Sequence, residues 1–164
     1  MLGGSSEVGV AINKLHKSKH PALIVHRNTA AAQCAVYILV ADKAVPYGKS
    51  GSRIVYIGRT DRGMTRVHES AAEKSTQLFK TATNPGGIHG VTQLSAYAVS
   101  FSVPQVWSAP WTPSVLLERA FLIAFKSHFG KPPIANDQRN AMVASVEYSY
   151  FNRAAIDKQV QRFP

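Results

Sequence analysis

Acidic residues are scarce in this chain. Nine Asp and Glu stand against 19 Lys and Arg in 164 residues, a formal charge of +10. Between Glu73 and Asp137 a single carboxylate occurs, Glu118. Cysteine is nearly absent: Cys34 alone excludes an internal disulfide and a Cys-based zinc cluster, and reads as a small buried hydrophobe. No apolar run reaches the roughly 18 residues of a membrane span. The segment Met1–Glu7 lacks a basic stretch followed by an apolar one, so no secretory signal is read and a cytoplasmic location is expected.

What remains is a chain able to bury a core. Hydrophobic residues make up 45% of it, which excludes a disordered polybasic tail. The length suits one domain with a short arm. An excess of ten positive charges favours polyanionic partners, nucleic acid ahead of anionic membrane. The bases run dispersed from Lys14 to Arg162 and form no polybasic amphipathic helix, which argues against a membrane.

Local patterns divide the chain into a basic N-terminal arm (1–30), a central domain (31–140) and a C-terminal helical extension (141–164). In the arm a short helix near Val8–Lys17 and an apolar patch at Ala22–Val25 are read. Cys34–Val40 is β-branched and aromatic, as a strand requires. Asp42–Ser52 carries Pro46, Gly48 and Gly51, the chemistry of a long turn, and Arg53–Gly58 is a second strand closed by Gly58. A helix is expected over about 62–79, a third strand over Gln93–Val103, and a helix over Pro113–Phe129. Thr112 before Pro113 is an N-cap signal, and Gly130 followed by Pro132 and Pro133 is a stop signal. A last helix is read over Ala141–Val160, and Trp107, Trp111 and Phe121 are read as core. The order predicts an α+β fold, a small three-stranded antiparallel sheet flanked by helices.

Glu118 is the residue that asks for an explanation. It lies in the third expected helix among Val115, Leu116, Leu117, Phe121 and Ile123, where a charge is costly unless paired or bound to metal. A magnesium site needs only one or two carboxylates, because the ion keeps several waters. The plain alternative is a Glu118–Arg119 edge turned to solvent.

Ala35-Val36-Tyr37, then Tyr56-Ile57-Gly58, then Arg66, Glu118 and Asn136 resemble, in order, the GIY-YIG nuclease superfamily. Its second motif is matched letter for letter, Arg66 follows Tyr56 by ten residues, and Phe129–Asn136 is similar to the family's closing segment. The resemblance covers about residues 34–137. It departs from the family in the first motif, where only the tyrosine survives, in the longer link between Tyr37 and Tyr56, assigned to a Pro46–Ser52 loop, and at Ser70, where many members carry His or Tyr.

The resemblance implies a metal-dependent DNA endonuclease leaving 5′-phosphate and 3′-hydroxyl ends. Tyr37, Tyr56, Arg66 and Glu118 would be catalytic. Glu118 would hold a single Mg2+ or Mn2+, Tyr37 would act as general base or orient one, Tyr56 would align the water, and Arg66 would hold the phosphate. Arg59, Gly58, Asn136 and His68 would complete the substrate-binding set. Asn136 reads more as a brace than as a catalyst, Gly58 as the residue of a tight turn, and His68 equally as a surface histidine. DNA is the expected partner, with RNA as the other nucleic acid; a homodimer or an acidic immunity-type inhibitor are the protein partners that restriction, mobile-element or toxin roles would bring. The rival from another class is a nucleic-acid-binding module on a nuclease-like scaffold without turnover.

Overall fold

The computed structural model describes residues 7–8, 23–26, 35–60, 64–78, 90–101, 112–136 and 150–164. Its elements are β1 (Glu7–Val8), β2 (Leu23–His26), β3 (Ala35–Pro46), β4 (Gly51–Thr60), α1 (Met64–Leu78), β5 (Leu94–Ser100), α2 (Pro113–Phe129) and α3 (Arg153–Val160). The fold is α+β. Its sheet runs β1-β2-β5-β3-β4, four main strands with the two-residue β1 added at one edge. β3 is antiparallel to both β4 and β5, whereas β2 joins β5 in parallel. The three strands expected from the sequence are therefore antiparallel neighbours, but the sheet is mixed and larger than three strands.

The additional strands come from the stretch read as an arm. Leu23–His26 pairs with Leu94–Tyr97, some seventy positions later in the chain. Parallel pairing leaves no hairpin signal, so four apolar residues carry no local mark of their partner. Val8, read as the start of a short helix, pairs in β1 instead; the rest of that helix, Cys34, Trp107 and Trp111 lie outside the described residues.

β3 is central, and residues 35–41 are buried on both of its faces, at most 3% exposed. That explains its unbroken apolar run, since a strand covered on both sides shows no alternation. α2 has the expected bounds. Gly130 ends it at φ 91° with its N–H on the Lys126 carbonyl, a conformation that favours glycine. Thr112 has the extended backbone of an N-cap, but its side chain makes no capping bond. α2 buries Leu116, Leu117, Ala120, Phe121, Ala124 and Phe125, because it packs on β4 and β3 and is itself covered by α3. α3 starts at Arg153, where the Asn152 side chain accepts from the Ala155 N–H; positions 141–149 of the last helix read from the sequence lie outside the described residues. Among the described residues no helix is long and apolar enough to cross a membrane.

The long turn expected between the first two strands is a short one. β3 runs on through Pro46, and Gly48-Lys49 form a tip closed by the Tyr47 N–H on the Ser50 carbonyl at 2.9 Å. This tip is pinned to the end of α2. The Lys49 N–H donates to the Phe129 carbonyl at 2.9 Å and its ammonium to the Ser127 carbonyl at 3.0 Å. Tyr47 turns inward against Phe125, ring centroids 5.0 Å apart, and its hydroxyl donates to the Ile54 carbonyl and accepts from the Ile134 N–H. Polar letters signalled a loop; packing of one tyrosine extended the strands.

Burial pushes the Tyr47 hydroxyl up to about 12, the Ile134 N–H pulling the other way. In the unfolded chain a tyrosine ionises near pH 10, so the stability this group contributes is full below pH 10 and is lost as pH rises towards 12. The loss amounts to about 3 kcal/mol over that window. Denaturant unfolding at pH 9 and 11.5 is expected to show a steeper loss for wild type than for Tyr47→Phe; equal losses would mean that the phenol ionises in the fold as readily as in the unfolded chain.

Candidate active site on the edge strand

β4 ends the sheet order, and an edge strand exposes a row of unpaired backbone groups. Here alternate residues of that row are answered by chain from elsewhere. The Arg53 N–H donates to the Phe163 carbonyl at 3.0 Å, and the Val55 carbonyl accepts from the Ala135 N–H at 2.9 Å. Ile57 is held by one side chain, its N–H donating to Asn136 Oδ1 at 3.0 Å and its carbonyl accepting from Asn136 Nδ2 at 2.8 Å. Both ends of that amide are spent on one residue's backbone. Asn136 thus braces the strand, the role that the sequence reading favours for it.

The hairpin register places Tyr37 opposite Gly58 and Leu39 opposite Tyr56. Directly opposed residues share a face, so Tyr37, Tyr56 and Gly58 lie on one side of the sheet. The rings of Tyr37 and Tyr56 are 5.7 Å apart and tilted at 44°. Tyr37 is 1% exposed, and its hydroxyl donates to Ser70 of α1. One helical turn further, the ammonium of Lys74 lies 5.2 Å from the Tyr56 ring centroid. α1 therefore covers the tyrosine face. Arg66 and His68 are the third and fifth residues of α1, and their side chains lie outside the described residues.

Gly58 plays a different part from the expected one. It sits inside β4, which continues to Thr60, so it neither closes the strand nor makes a turn. A Cβ there would fall 2.4 Å from Tyr37 Cζ and 2.5 Å from its hydroxyl oxygen. The glycine is the space into which the Tyr37 ring packs. The hydroxyl at that same end of the ring is bonded to Ser70, so the ring cannot swing aside cheaply.

Arg59 follows Gly58 in an unbroken strand and so points to the opposite face. Its Nε is 3.9 Å from Glu118 Oε2, with the side chains 46% and 24% exposed. Glu118 thus lies on the α2 face of the sheet and at its open margin, with a polar partner. The resemblance implies one site for Tyr37, Tyr56, Arg66 and Glu118; the described contacts form two sets, tyrosines on the α1 face and Arg59–Glu118 on the α2 face. The sets adjoin at the Gly58-Arg59 step, where Cα atoms are about 3.8 Å apart. Among the described residues the outer cover of β4 ends at Ile57, just before that step.

Two functional side chains escape the sequence reading. Ser70 stood out only as a departure, and its bond to Tyr37 assigns it a partner. Lys74 gave no signal except its spacing, four residues after Ser70 and eight after Arg66. For a metal, the donor set on offer is the Glu118 carboxylate, a hard, partly exposed oxygen ligand. Among the described residues no group of three or more His, Cys, Asp or Glu assembles. That donor set fits an ion that keeps most of its waters and accepts substrate phosphate, as Mg2+ or Mn2+ does, and not a closed zinc or calcium cage.

Replacing Gly58 by Ala is expected to cost about 1–3 kcal/mol of stability by overpacking. In a Tyr37→Ala background the same change should cost close to nothing, because the methyl enters vacated space. A double-mutant cycle by urea unfolding measures the difference; equal costs in both backgrounds would show that the ring and the glycine are not coupled.

Comparison of the chain with profiles of known protein families, with curated proteins and with solved structures found no match.

Proposed function

We propose that the protein is a metal-dependent endonuclease that hydrolyses DNA phosphodiester bonds, its site wrapped round the open margin of the edge strand. The observation that carries this reading is the pair of adjacent residues Gly58 and Arg59. One seats the tyrosine pair and the other meets the lone carboxylate of an apolar helix.

The roles follow from the chemistry of each group. Glu118 would hold the ion, and a bound Mg2+ or Mn2+ would supply positive charge at the phosphate and at the departing oxygen. Arg59, half exposed beside Glu118, offers a planar fork of donors suited to phosphate oxygens. Arg66, one turn before Ser70 on α1, is the second guanidinium of the reading. Tyr56 is the partly exposed phenol and orients the attacking water, whereas Tyr37, buried and bonded to Ser70, fixes the Tyr56 ring. Water oxygen bonds to phosphorus as the bond to the 3′ oxygen breaks. The water's proton leaves to solvent, and the 3′ oxygen takes one up from solvent, giving 5′-phosphate and 3′-hydroxyl ends. The net charge of +10 supports the polyanionic substrate. A restriction, mobile-element or antibacterial toxin enzyme fits these parts, the last with an acidic immunity-type partner.

One observation favours a second reading, a nucleic-acid-binding module without turnover: the Tyr37 hydroxyl is closed off from solvent by Ser70. Incubation of supercoiled plasmid with and without Mg2+ separates the two. Nicking that requires the ion is expected, falling by about 100-fold or more in Glu118→Ala and in Arg66→Ala while binding in a mobility-shift assay persists. Wild-type binding without nicking selects the module, and full activity in either variant removes that residue from the mechanism.

A further inference from the structure

We infer that Lys74 is a phosphate-contacting residue on the tyrosine face, held ready by the ring of Tyr56; the inference rests on the nucleic-acid reading above. A lysine side chain is flexible and strongly hydrated, and ordering it on a ligand costs conformational entropy. Lys74 is partly exposed, and its ammonium lies 5.2 Å from the Tyr56 ring centroid, where the negative face of the π-system attracts a cation. Part of the ordering cost is therefore met before any ligand arrives.

The placement follows from helix periodicity. Positions 66, 70 and 74 stand in one row along α1, each a turn after the last. Ser70 of that row meets Tyr37 and Lys74 meets Tyr56. Val67, Ala71, Ser75 and Leu78 form the adjoining buried row that seats the helix. Among the described side chains of the row, Lys74 is thus the one that carries a charge to the rim of the tyrosine pair. A surface lysine on a helix end would serve solubility equally well from any position; this one is laid on the aromatic ring beside the proposed reacting centre, one strand residue pair from Gly58-Arg59. The ligand it suits is the nucleic-acid backbone flanking the scissile bond, a row of phosphates to which a point cation contributes affinity without base specificity.

Counterion release gives the test a number. Each phosphate neutralised by a lysine contributes about 0.9 to the slope of log affinity against log salt for duplex DNA. Binding of a mixed-sequence duplex oligonucleotide to the full chain, in EDTA so that no cleavage occurs, is measured by fluorescence anisotropy from 50 to 200 mM NaCl. Lys74→Met is expected to lower the slope by about 0.9, so that wild type loses roughly 3.5-fold more affinity than the variant over that range. Lys74→Arg should restore the slope. Lys158→Met, which removes an exposed lysine of α3, should leave it unchanged. An unchanged slope in Lys74→Met, or an equal drop in Lys158→Met, overturns the assignment. Wild-type binding that shows the Lys74 effect without plasmid nicking in Mg2+ strikes the nuclease reading alone, and absence of duplex binding overturns both.

Discussion

The Tyr37 ring lies where Gly58 has no side chain, and the arrangement around the edge strand depends on that fit. A Cβ at Gly58 would overlap the phenol, so the register of the hairpin, the burial of the ring and the glycine require one another. A slip of one residue would turn Tyr37 to the other face and put a side chain where the gap must be. With the register fixed, Tyr56 falls beside Tyr37 and Arg59 is presented on the reverse side to α2. Asn136 then holds Ile57 from outside, doing with one amide what a neighbouring strand would do with its backbone. The short motif Tyr-Ile-Gly-Arg thus reads as alternate packing instructions: ring, braced backbone, gap, charge.

Much of this was legible in the sequence, and what was not has a common cause. α2 came out with its bounds intact because its signals are local: an extended residue and a proline at one end, a left-handed glycine at the other. The three antiparallel strands were legible for the same reason. β2 was not, since its partner lies across α1 and nothing near Leu23 marks it. The hairpin tip misled for the converse reason. Proline, glycine and lysine look like a loop by themselves, but Tyr47 reaches Phe125 and Ile134, and tertiary contact drew the strands out to close on Gly48-Lys49.

The candidate site divides along the same line. Candidate residues on β4 and α2 could be picked out by the motif they resemble, but which face each occupies could not, because Gly58 was taken for a turn. Inside a strand, neighbours point apart, and that single geometric fact separates the tyrosines from Glu118. Asn136 shows a related limit. Its bracing role was readable, but not the backbone it holds, because that depends on where the closing segment lies against β4.

Glu118 itself bears on what the site is for. Its pair with Arg59 is long, at 3.9 Å, and half exposed on the arginine side, a geometry in which ion pairs contribute about 0–1 kcal/mol. The rest of its helix is committed to the core: Leu116, Leu117, Ala120 and Phe121 are buried around it. A glutamate in such a helix brings no hydrophobic gain at its own position. The chain is moreover poor in acids, with no other carboxylate between Glu73 and Asp137. If the net charge of +10 serves to bind a polyanion, as proposed, a carboxylate at the rim of the sheet would repel that partner unless a cation stood between them. On the proposed reading, a divalent ion at Glu118 would remove that conflict: it would turn a repulsive group at the margin into a point where a phosphate is drawn in.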